Sequence, residues 1–212
     1  MAITSIQRSI WKAFLELRLL KLHGDPFQDF FSDLMEKKHG TSFVRVKAMG
    51  RLGDKKCDGY LSDGHEVFQC YGAKDGGGES KVAYLIGKME ADYSGAAVEW
   101  PGMNSWHMVH NFMDGMPARA TEALMNLKAA NPQHNVFFFG PPKFEAYLFS
   151  LKEEDIGDLL GPAAVEKDFP NIQIPEVREI MERIISATLD VRPSDESVGP
   201  VRLQRLKRGN TS

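Results

Sequence analysis

The 212-residue sequence predicts an α/β fold in which helices cover both faces of a mixed central sheet and extra helices follow at the C-terminal end. Three observations predict it. Three short segments rich in β-branched and apolar residues follow one another between 43 and 72, separated by turn residues. Helical and strand patterns then alternate up to residue 140, which is typical of crossover connections. The apolar fraction of 42% is sufficient for a sizeable core.

Two helices are expected ahead of the first strand. Apolar residues recur at helical spacing through the segment 6–22, at Ile6, Ile10, Phe14, Leu17 and Leu20. Gly24 interrupts this pattern. Asp25 is a good N-cap for a second helix, in which Pro26 suits the first helical position. The second helix is expected to run to about Lys38 and to stop near Gly40.

The remaining elements are predicted from apolar runs and from the glycine and proline residues that separate them. Strands are expected at 43–49, 57–62, 66–72, 106–111 and 135–140. Helices are expected at 81–99, 117–130, 142–151, 153–160 and 175–189. The last strand contains Phe137, Phe138 and Phe139, which predicts core residues and cover on both faces. One domain is therefore predicted at 1–190, with a helical arm at 1–24 and a flexible basic tail or linker at 191–212.

The composition disfavours several classes of protein. No run approaches the ~18 apolar residues of a membrane span, and the N-terminal segment lacks a secretory pattern, so a cytoplasmic protein without a membrane partner is expected. Cys57 and Cys70 are expected to be buried reduced thiols. His107 and His110 should point to opposite faces of one strand, which makes them poor partners for one metal ion. The segment 72–78 lacks the ending of a P-loop, and no alternating aromatics typical of a single-strand-binding surface are visible.

Basic residues are concentrated between Lys37 and Lys56, where seven lysines and arginines accompany one acid, Asp54. Such a stripe can attract phosphate even though the net charge of the whole chain is −3. The alternative is an ordinary solvated face. The candidate nucleic-acid-binding residues of this stripe are Arg45, Lys47, Arg51, Lys55 and Lys56.

The candidate site lies in the stretch GDKKCDGYLSDGHEVFQCYG, which begins at Gly53. Asp58 stands early in the second predicted strand and Gln69 in the middle of the third, and neighbouring antiparallel strands can bring both within reach of one ion. A carboxylate and an amide carbonyl are hard oxygen ligands that suit Mg²⁺. Gly59 leaves room beside Asp58 for a backbone or a phosphate. The alternatives are a turn acid that caps backbone amides and a glutamine that faces solvent.

This order of elements, with Asp58 on the second strand and Gln69 on the third, resembles the PD-(D/E)XK nuclease superfamily. It is most similar to the Mrr-like variant, in which glutamine stands in the third-strand motif, and to nuclease modules of bacterial anti-phage defence systems. The resemblance covers roughly residues 26–140 and implies an αβββαβ restriction-endonuclease-like core. It implies that Asp58 binds the metal and that Gln69 occupies the acid-or-glutamine position.

Two positions depart from the family pattern. Tyr71 stands where the family usually has its lysine, and Gln28, on the preceding helix, stands where relatives often have a metal-binding glutamate. Tyrosine donates a hydrogen bond but does not replace a cation. A lysine from elsewhere would have to position the water. Lys88 is the first candidate for this role, ahead of Lys74 and Lys47.

The resemblance implies an Mg²⁺- or Mn²⁺-dependent endonuclease that cleaves nucleic acid, with DNA the expected substrate and defence against phage the expected context. The alternative is a catalytically inactive nuclease-like module for nucleic-acid binding or protein assembly, which Tyr71 and Gln28 favour. A regulatory or defence-system protein and a second copy of the chain, joined through the arm at 1–24, are the further partners expected.

Overall fold

The computed structural model describes residues 3–47, 55–74 and 79–163, with the backbone alone for 79 and 80, and four further residues. The chain divides into two compact units, Met1–Glu166 and Lys167–Ser212. Of the second unit only Pro175, Glu179, Glu182 and Arg183 are described, and all four are helical. The helix expected at 175–189 therefore lies largely outside the described residues, and the tail at 191–212 lies entirely outside them. All that follows concerns the first unit.

The helices and strands of the first unit follow the predicted order. The helices are α1 (Ser5–Lys21), α2 (Asp25–His39), α3 (Glu79–Glu99), α4 (Ala118–Ala130), α5 (Pro141–Leu148) and α6 (Glu153–Leu160). The strands are β1 (Phe43–Arg45), β2 (Gly59–Leu61), β3 (Glu66–Tyr71), β4 (Ser105–His110) and β5 (Asn135–Phe139). A short 3-10 helix, Gly40–Ser42, joins α2 to β1 and was not expected. Among the described residues, no helix combines the length and apolarity needed to cross a membrane.

The five strands form one mixed sheet in the order β1-β2-β3-β4-β5. β1, β2 and β3 are an antiparallel meander, whereas β4 and β5 continue parallel to β3. The prediction of an α/β fold with a mixed sheet is confirmed. The parallel strands need crossovers, which α3 and α4 provide.

Alternate residues of the strands face two apolar clusters. Val67, Trp106, Met108 and Val136 pack with α3 and α4 on one face of the sheet. Phe68, Val109 and Phe139 pack with α1, α2, α5 and α6 on the other. Burial of each large apolar side chain stabilises the fold by about 1.5–3 kcal/mol. This two-sided core therefore stabilises the sheet on which the candidate site lies.

The start of α2 differs from the prediction. Gly24, with a φ of 57°, is the N-cap and supplies no side-chain hydrogen bond, so Asp25 is the first helical residue rather than the cap. The N–H of Gly24 donates to the carbonyl of Gly72 at 3.2 Å. A Cβ at Gly72 would lie 2.7 Å from the Cβ of Phe27. Gly72 thus lets the start of α2 approach the end of β3, because it adds no side chain at the contact, and Gly24 supplies the positive φ of the N-cap.

The buried face of α1 is formed by other residues than those whose spacing predicted the helix. Gln7, Trp11, Leu15 and Leu19 face the core. The apolar series used to predict the helix lies on its outer side: the exposed fractions are 38% for Phe14, 47% for Leu17 and 63% for Leu20. Helical periodicity is present in both series, and tertiary packing decides which one is buried.

The prediction that β5 is covered on both faces is wrong at one residue. Phe139 is fully buried and Phe138 is half-buried, but Phe137 is 39% exposed. β5 is the edge strand of the sheet, and the Phe137 ring lies near the ammonium groups of Lys128 and Lys143. The exposed ring is thus partly screened by cation–π contacts.

Candidate functional site

Asp58 is positioned by an irregular entry into β2. Its N–H donates to the carbonyl of Phe68 at 2.8 Å, although the strand register pairs Phe68 with Gly59. Two consecutive residues thus oppose one, which is characteristic of a β-bulge and redirects a side chain. Lys55 and Lys56, three and two residues before Asp58, have φ values of 53° and 58°. Left-handed backbone is uncommon outside glycine and often occurs at functional sites.

Asp58 and Gln69 are in direct contact, as the meander predicts. Both are buried, with exposed fractions of 5% and 6%. The Nε2 of Gln69 donates to the Oδ2 of Asp58 at 2.7 Å, and the backbone N–H of Cys70 donates to the same oxygen at 2.6 Å. Two donors therefore offset the cost of burying this carboxylate oxygen.

The same contact sets the orientation of the Gln69 amide. An ionised carboxylate can only accept hydrogen bonds, so the NH₂ group of Gln69 points toward Asp58 and its Oε1 points away. Oε1 is buried and has no hydrogen-bond partner among the described residues. An orphaned buried acceptor costs about 1–3 kcal/mol. The arrangement therefore presents a carbonyl oxygen, next to a carboxylate, that can accept a donor or contact a cation.

Gly59 allows close packing of aromatic rings and does not leave an open space for phosphate. A Cβ at this position would lie 2.5 Å from the Phe43 ring and 3.6 Å from the Phe31 ring. The expectation of room beside Asp58 at Gly59 is therefore corrected: the aromatic core on the α2 side of the sheet fills that space.

Lys88 lies near the site but within an ion pair. Its Nζ is 2.5 Å from Oδ2 of Asp92, one helical turn along α3, and Nζ of Lys56 is 3.1 Å from Oδ1. Asp92 is 2% exposed. A Cβ at Gly95 would lie 2.6 Å from Cγ of Lys56, so this glycine admits the lysine stem. Two ammonium groups thus meet one buried carboxylate beside the predicted site.

The charge of Lys88 lowers the pKa of two residues of β3, Cys70 and Tyr71, against larger effects that raise it. Burial raises the pKa of the Cys70 thiol well above its usual range, the Asp58 carboxylate and Cys57 raise it further, and Lys88 opposes them. Cys70 therefore stays a neutral thiol, and neither it nor Cys57 forms a disulfide. Lys88 exerts the same opposing effect on the pKa of Tyr71. Of the three candidate lysines, Lys88 thus has a charge that acts on residues of the site strand.

The other two candidate lysines lie elsewhere. Lys47 is paired with Asp29 of α2 at 3.2 Å. Lys74 is exposed and lines a cavity of about 170 Å³ together with Phe112 and other residues that follow β4. No role of either lysine at Asp58 follows from these positions.

Tyr71 stands at the end of β3 in an aromatic cluster. The distances between ring centroids are 6.5 Å from Tyr71 to Tyr84 and 6.0 Å from Tyr71 to Phe112. Burial raises the pKa of Tyr71, and Tyr84 raises it further. The phenol is therefore neutral near pH 7 and offers a hydrogen-bond donor. Tyr84 and Phe112 were not predicted from the sequence, because the three rings come from three separate segments of the chain: β3, α3 and the loop after β4.

Gln28 reaches the neighbourhood of Asp58 only indirectly. Its Nε2 is 3.5 Å from the carbonyl of Val46, at the outer limit of a hydrogen bond. The N–H of Val46 in turn donates to the carbonyl of Asp58 at 3.1 Å. The role of Gln28 in metal binding stays a prediction.

The described part of the basic stripe is matched by carboxylates. Arg45 contacts Asp29, Asp33 and Glu36 of α2, and the hydrogen bond that it donates to Glu36 is the largest cause of its raised pKa. These contacts are partly exposed, so each contributes little to stability. They nevertheless cancel much of the positive charge of Arg45.

Pairing extends to the other described candidate residues of the stripe. Lys55 lies 3.2 Å from Glu99, and Lys56 and Lys47 pair with Asp92 and Asp29 as described above. Arg51 lies outside the described residues. The described candidates are therefore matched by acids, whereas Lys38 lies over the Tyr147 ring, and the role of the stripe in nucleic-acid binding stays a prediction.

A second polar pair, formed by a buried histidine and a half-buried glutamate, occupies the opposite face of the sheet. His107, 2% exposed, has Nε2 at 2.6 Å from Oε2 of Glu66. Its ring stacks against Phe68 at 4.6 Å and Phe137 at 5.3 Å. His110 instead contacts Phe112 on the α3 side. The expectation that the two histidines point to opposite faces is confirmed.

Comparison with known proteins adds no assignment to this geometry. No protein-family model matches the chain, and no curated protein matches it either.

Proposed function

We propose that this chain is a metal-dependent endonuclease of the restriction-endonuclease-like kind, with DNA as its substrate. The observation that carries the proposal is the buried carbonyl oxygen of Gln69, which has no partner among the described residues and lies beside the carboxylate of Asp58. The order of elements from α2 to β4 supports it, because it matches the αβββαβ core that the resemblance implies.

The chemistry of these two residues fits Mg²⁺ or Mn²⁺. Asp58 supplies an anionic oxygen and Gln69 a neutral one, and Mg²⁺ commonly takes only one or two carboxylates and completes its shell with water and phosphate oxygens. Within the described ranges, no three or more His, Cys, Asp or Glu residues form a group that could hold a metal ion. Such an ion, when bound, polarises a phosphodiester and lowers the pKa of the attacking water.

The protein groups around the pair have distinct tasks in this proposal. The N–H of Cys70 and the amide of Gln69 hold the Asp58 carboxylate in one orientation. Tyr71, as a neutral phenol, donates a hydrogen bond to a phosphate oxygen. Lys88, oriented by Asp92, supplies the positive charge that the family usually places at the position of Tyr71.

The ion pairs support a second candidate, an inactive module for nucleic-acid binding or protein assembly. Lys88 and Lys56 are both engaged by Asp92, and Arg45 is surrounded by three acids. If these pairs persist when nucleic acid is present, the site lacks a cation to position the water. A regulatory or defence-system partner belongs to either candidate, and defence against phage is the context that the resemblance suggests.

The deciding experiment is cleavage of plasmid and single-stranded DNA with Mg²⁺ or Mn²⁺ by the wild type, Asp58→Asn and the control Asp63→Asn. Asp63 is an exposed turn carboxylate on the same hairpin. We expect Asp58→Asn to lose more than about 100-fold in rate, the upper end of the cost of losing an outer-shell metal partner. Asp63→Asn should cleave as the wild type does. Equal activity of Asp58→Asn would refute the proposal, whereas DNA binding without cleavage by the wild type would favour the inactive module.

A further inference from the structure

Three aromatic side chains from separate elements converge next to the Asp58–Gln69 pair. Tyr71 ends β3, Tyr84 lies on α3 and Phe112 follows β4, and Tyr71 contacts both of the other rings. Because Gln69 and Tyr71 are two positions apart on one strand, their side chains point to the same face of the sheet. The aromatic row therefore begins beside the candidate metal ligands.

Exposure increases toward one end of this row. Tyr84 is 64% exposed, whereas Tyr71 and Phe112 are half-buried. An aromatic ring usually gains stability by burial, so a tyrosine that is two-thirds exposed is not held there by core packing. The row thus offers an accessible aromatic surface that is supported from below by partly buried rings.

A positive charge accompanies the row. Lys88 lies four residues after Tyr84 on α3, so the two side chains share a face of the helix. An aromatic surface next to an ammonium group suits a nucleotide, which combines a flat base with a phosphate.

We propose that Tyr84, supported by Tyr71 and Phe112, stacks on an unpaired nucleobase next to the Asp58–Gln69 pair. This inference rests on the proposed function and narrows its substrate to single-stranded or locally opened nucleic acid. In a duplex the faces of the bases are covered by their neighbours, so a stacking site needs a base that has left the stack. Every base has such a face, and the site should therefore tolerate different sequences.

The test is the affinity for a short fluorescein-labelled oligothymidine, measured by anisotropy in EDTA so that cleavage does not interfere. We expect Tyr84→Ala to bind about 5- to 100-fold more weakly than the wild type, the range for losing one base–aromatic stack. Tyr84→Phe keeps the ring and should bind within about twofold of the wild type on the same argument. The control is Val98→Ala, which alters another exposed apolar residue of the same helix, 77% exposed.

An abasic oligomer of the same length and a duplex separate base recognition from phosphate attraction. The wild type should bind both more weakly than oligothymidine, and Tyr84→Ala should reduce neither. Unchanged oligothymidine binding by Tyr84→Ala, equal binding of the abasic oligomer by the wild type, or no binding of oligothymidine would each overturn the stacking site. Asp58→Asn tests the proposed function separately, because it should abolish cleavage and leave this binding intact.

Discussion

The strand β3 carries two polar pairs on opposite faces, and they differ in burial and in what surrounds them. The Gln69–Asp58 pair lies near Tyr71 and Lys88, and its orphaned atom is a carbonyl oxygen. The Glu66–His107 pair is closed by aromatic rings on both sides of the imidazole, and its orphaned atom among the described residues is Nδ1 of His107. Both pairs contain one carboxylate, which is 5% exposed in Asp58 and 29% exposed in the side chain of Glu66.

The difference shows that an orphaned buried atom indicates a site only together with its neighbours. Hard oxygen atoms suit Mg²⁺, whereas an imidazole nitrogen suits softer metals. Burial lowers the pKa of His107 and the bond to Glu66 opposes this, while the bond to His107 is the largest cause of the lowered pKa of Glu66. The two partners of the Glu66–His107 pair thus satisfy each other, and the Asp58–Gln69 pair is the one that we propose as a ligand site.

The largest effect is expected when a second carboxylate is placed at the Asp58–Gln69 pair. Without metal, Gln69→Glu should lower the free energy of unfolding by about 3 kcal/mol, because it adds an uncompensated buried charge beside Asp58. Millimolar Mg²⁺ should restore much of the loss, since a ligand that binds only the folded state stabilises it. Urea unfolding with EDTA and with Mg²⁺ measures both terms.

Gln133→Glu is the matched control for this prediction, because it makes the same chemical change outside the proposed site. Gln133 is exposed, so the change should alter the stability little in EDTA or in Mg²⁺. A Gln69→Glu variant that is as stable as the wild type in EDTA, or one that Mg²⁺ does not stabilise, would remove the distinction between the two pairs.

A smaller effect is expected from the histidine that lies on the same face as Gln69. Burial lowers the pKa of His110 from 6.5 to about 4. Between these two pKa values, His110 binds a proton in the unfolded chain but not in the folded protein. The stability that this group contributes is therefore complete above pH 6.5 and is lost as the pH falls toward 4. The wild type should lose about 2 kcal/mol from His110 between about pH 7.5 and about pH 5.

His110→Leu should remove this part of the pH dependence, which urea unfolding at the two pH values measures. Since the variant also loses the hydrogen bond from the N–H of Phe112, the quantity to compare is the change with pH and not the stability itself. His107→Leu is the corresponding variant on the other face of the sheet. There the hydrogen bond with Glu66 opposes the lowering of the His107 pKa by burial. An unaltered pH dependence in His110→Leu would contradict this account.

Much of the fold could be predicted because periodicity and turn residues act locally. The order of elements and the mixed sheet follow from such patterns, whereas the buried face of α1 does not. Both Phe14, Leu17 and Leu20 and the series Trp11, Leu15 and Leu19 are apolar at helical spacing. Only packing against α5 and α6 decides between them.

The local contact within the candidate site was predictable from the sequence, whereas its contacts between distant segments were not. Contact between Asp58 and Gln69 follows from a short hairpin, because the chain between them is brief. The ion pair of Lys56 with Asp92 and the row of Tyr71, Tyr84 and Phe112 join distant segments. No local pattern in the sequence reports such contacts, since they depend on how α3 lies on the sheet.

The central claim is that the oxygens of Asp58 and Gln69 hold a divalent cation while the Glu66–His107 pair does not. Titration with Mn²⁺, followed by the loss of its free electron-spin-resonance signal, measures this directly and needs no substrate. We predict saturable binding by the wild type and by Glu66→Gln, and its loss in Asp58→Asn. Equal binding by Asp58→Asn, or loss of binding only in Glu66→Gln, would contradict the account and move the site to the other face of the sheet.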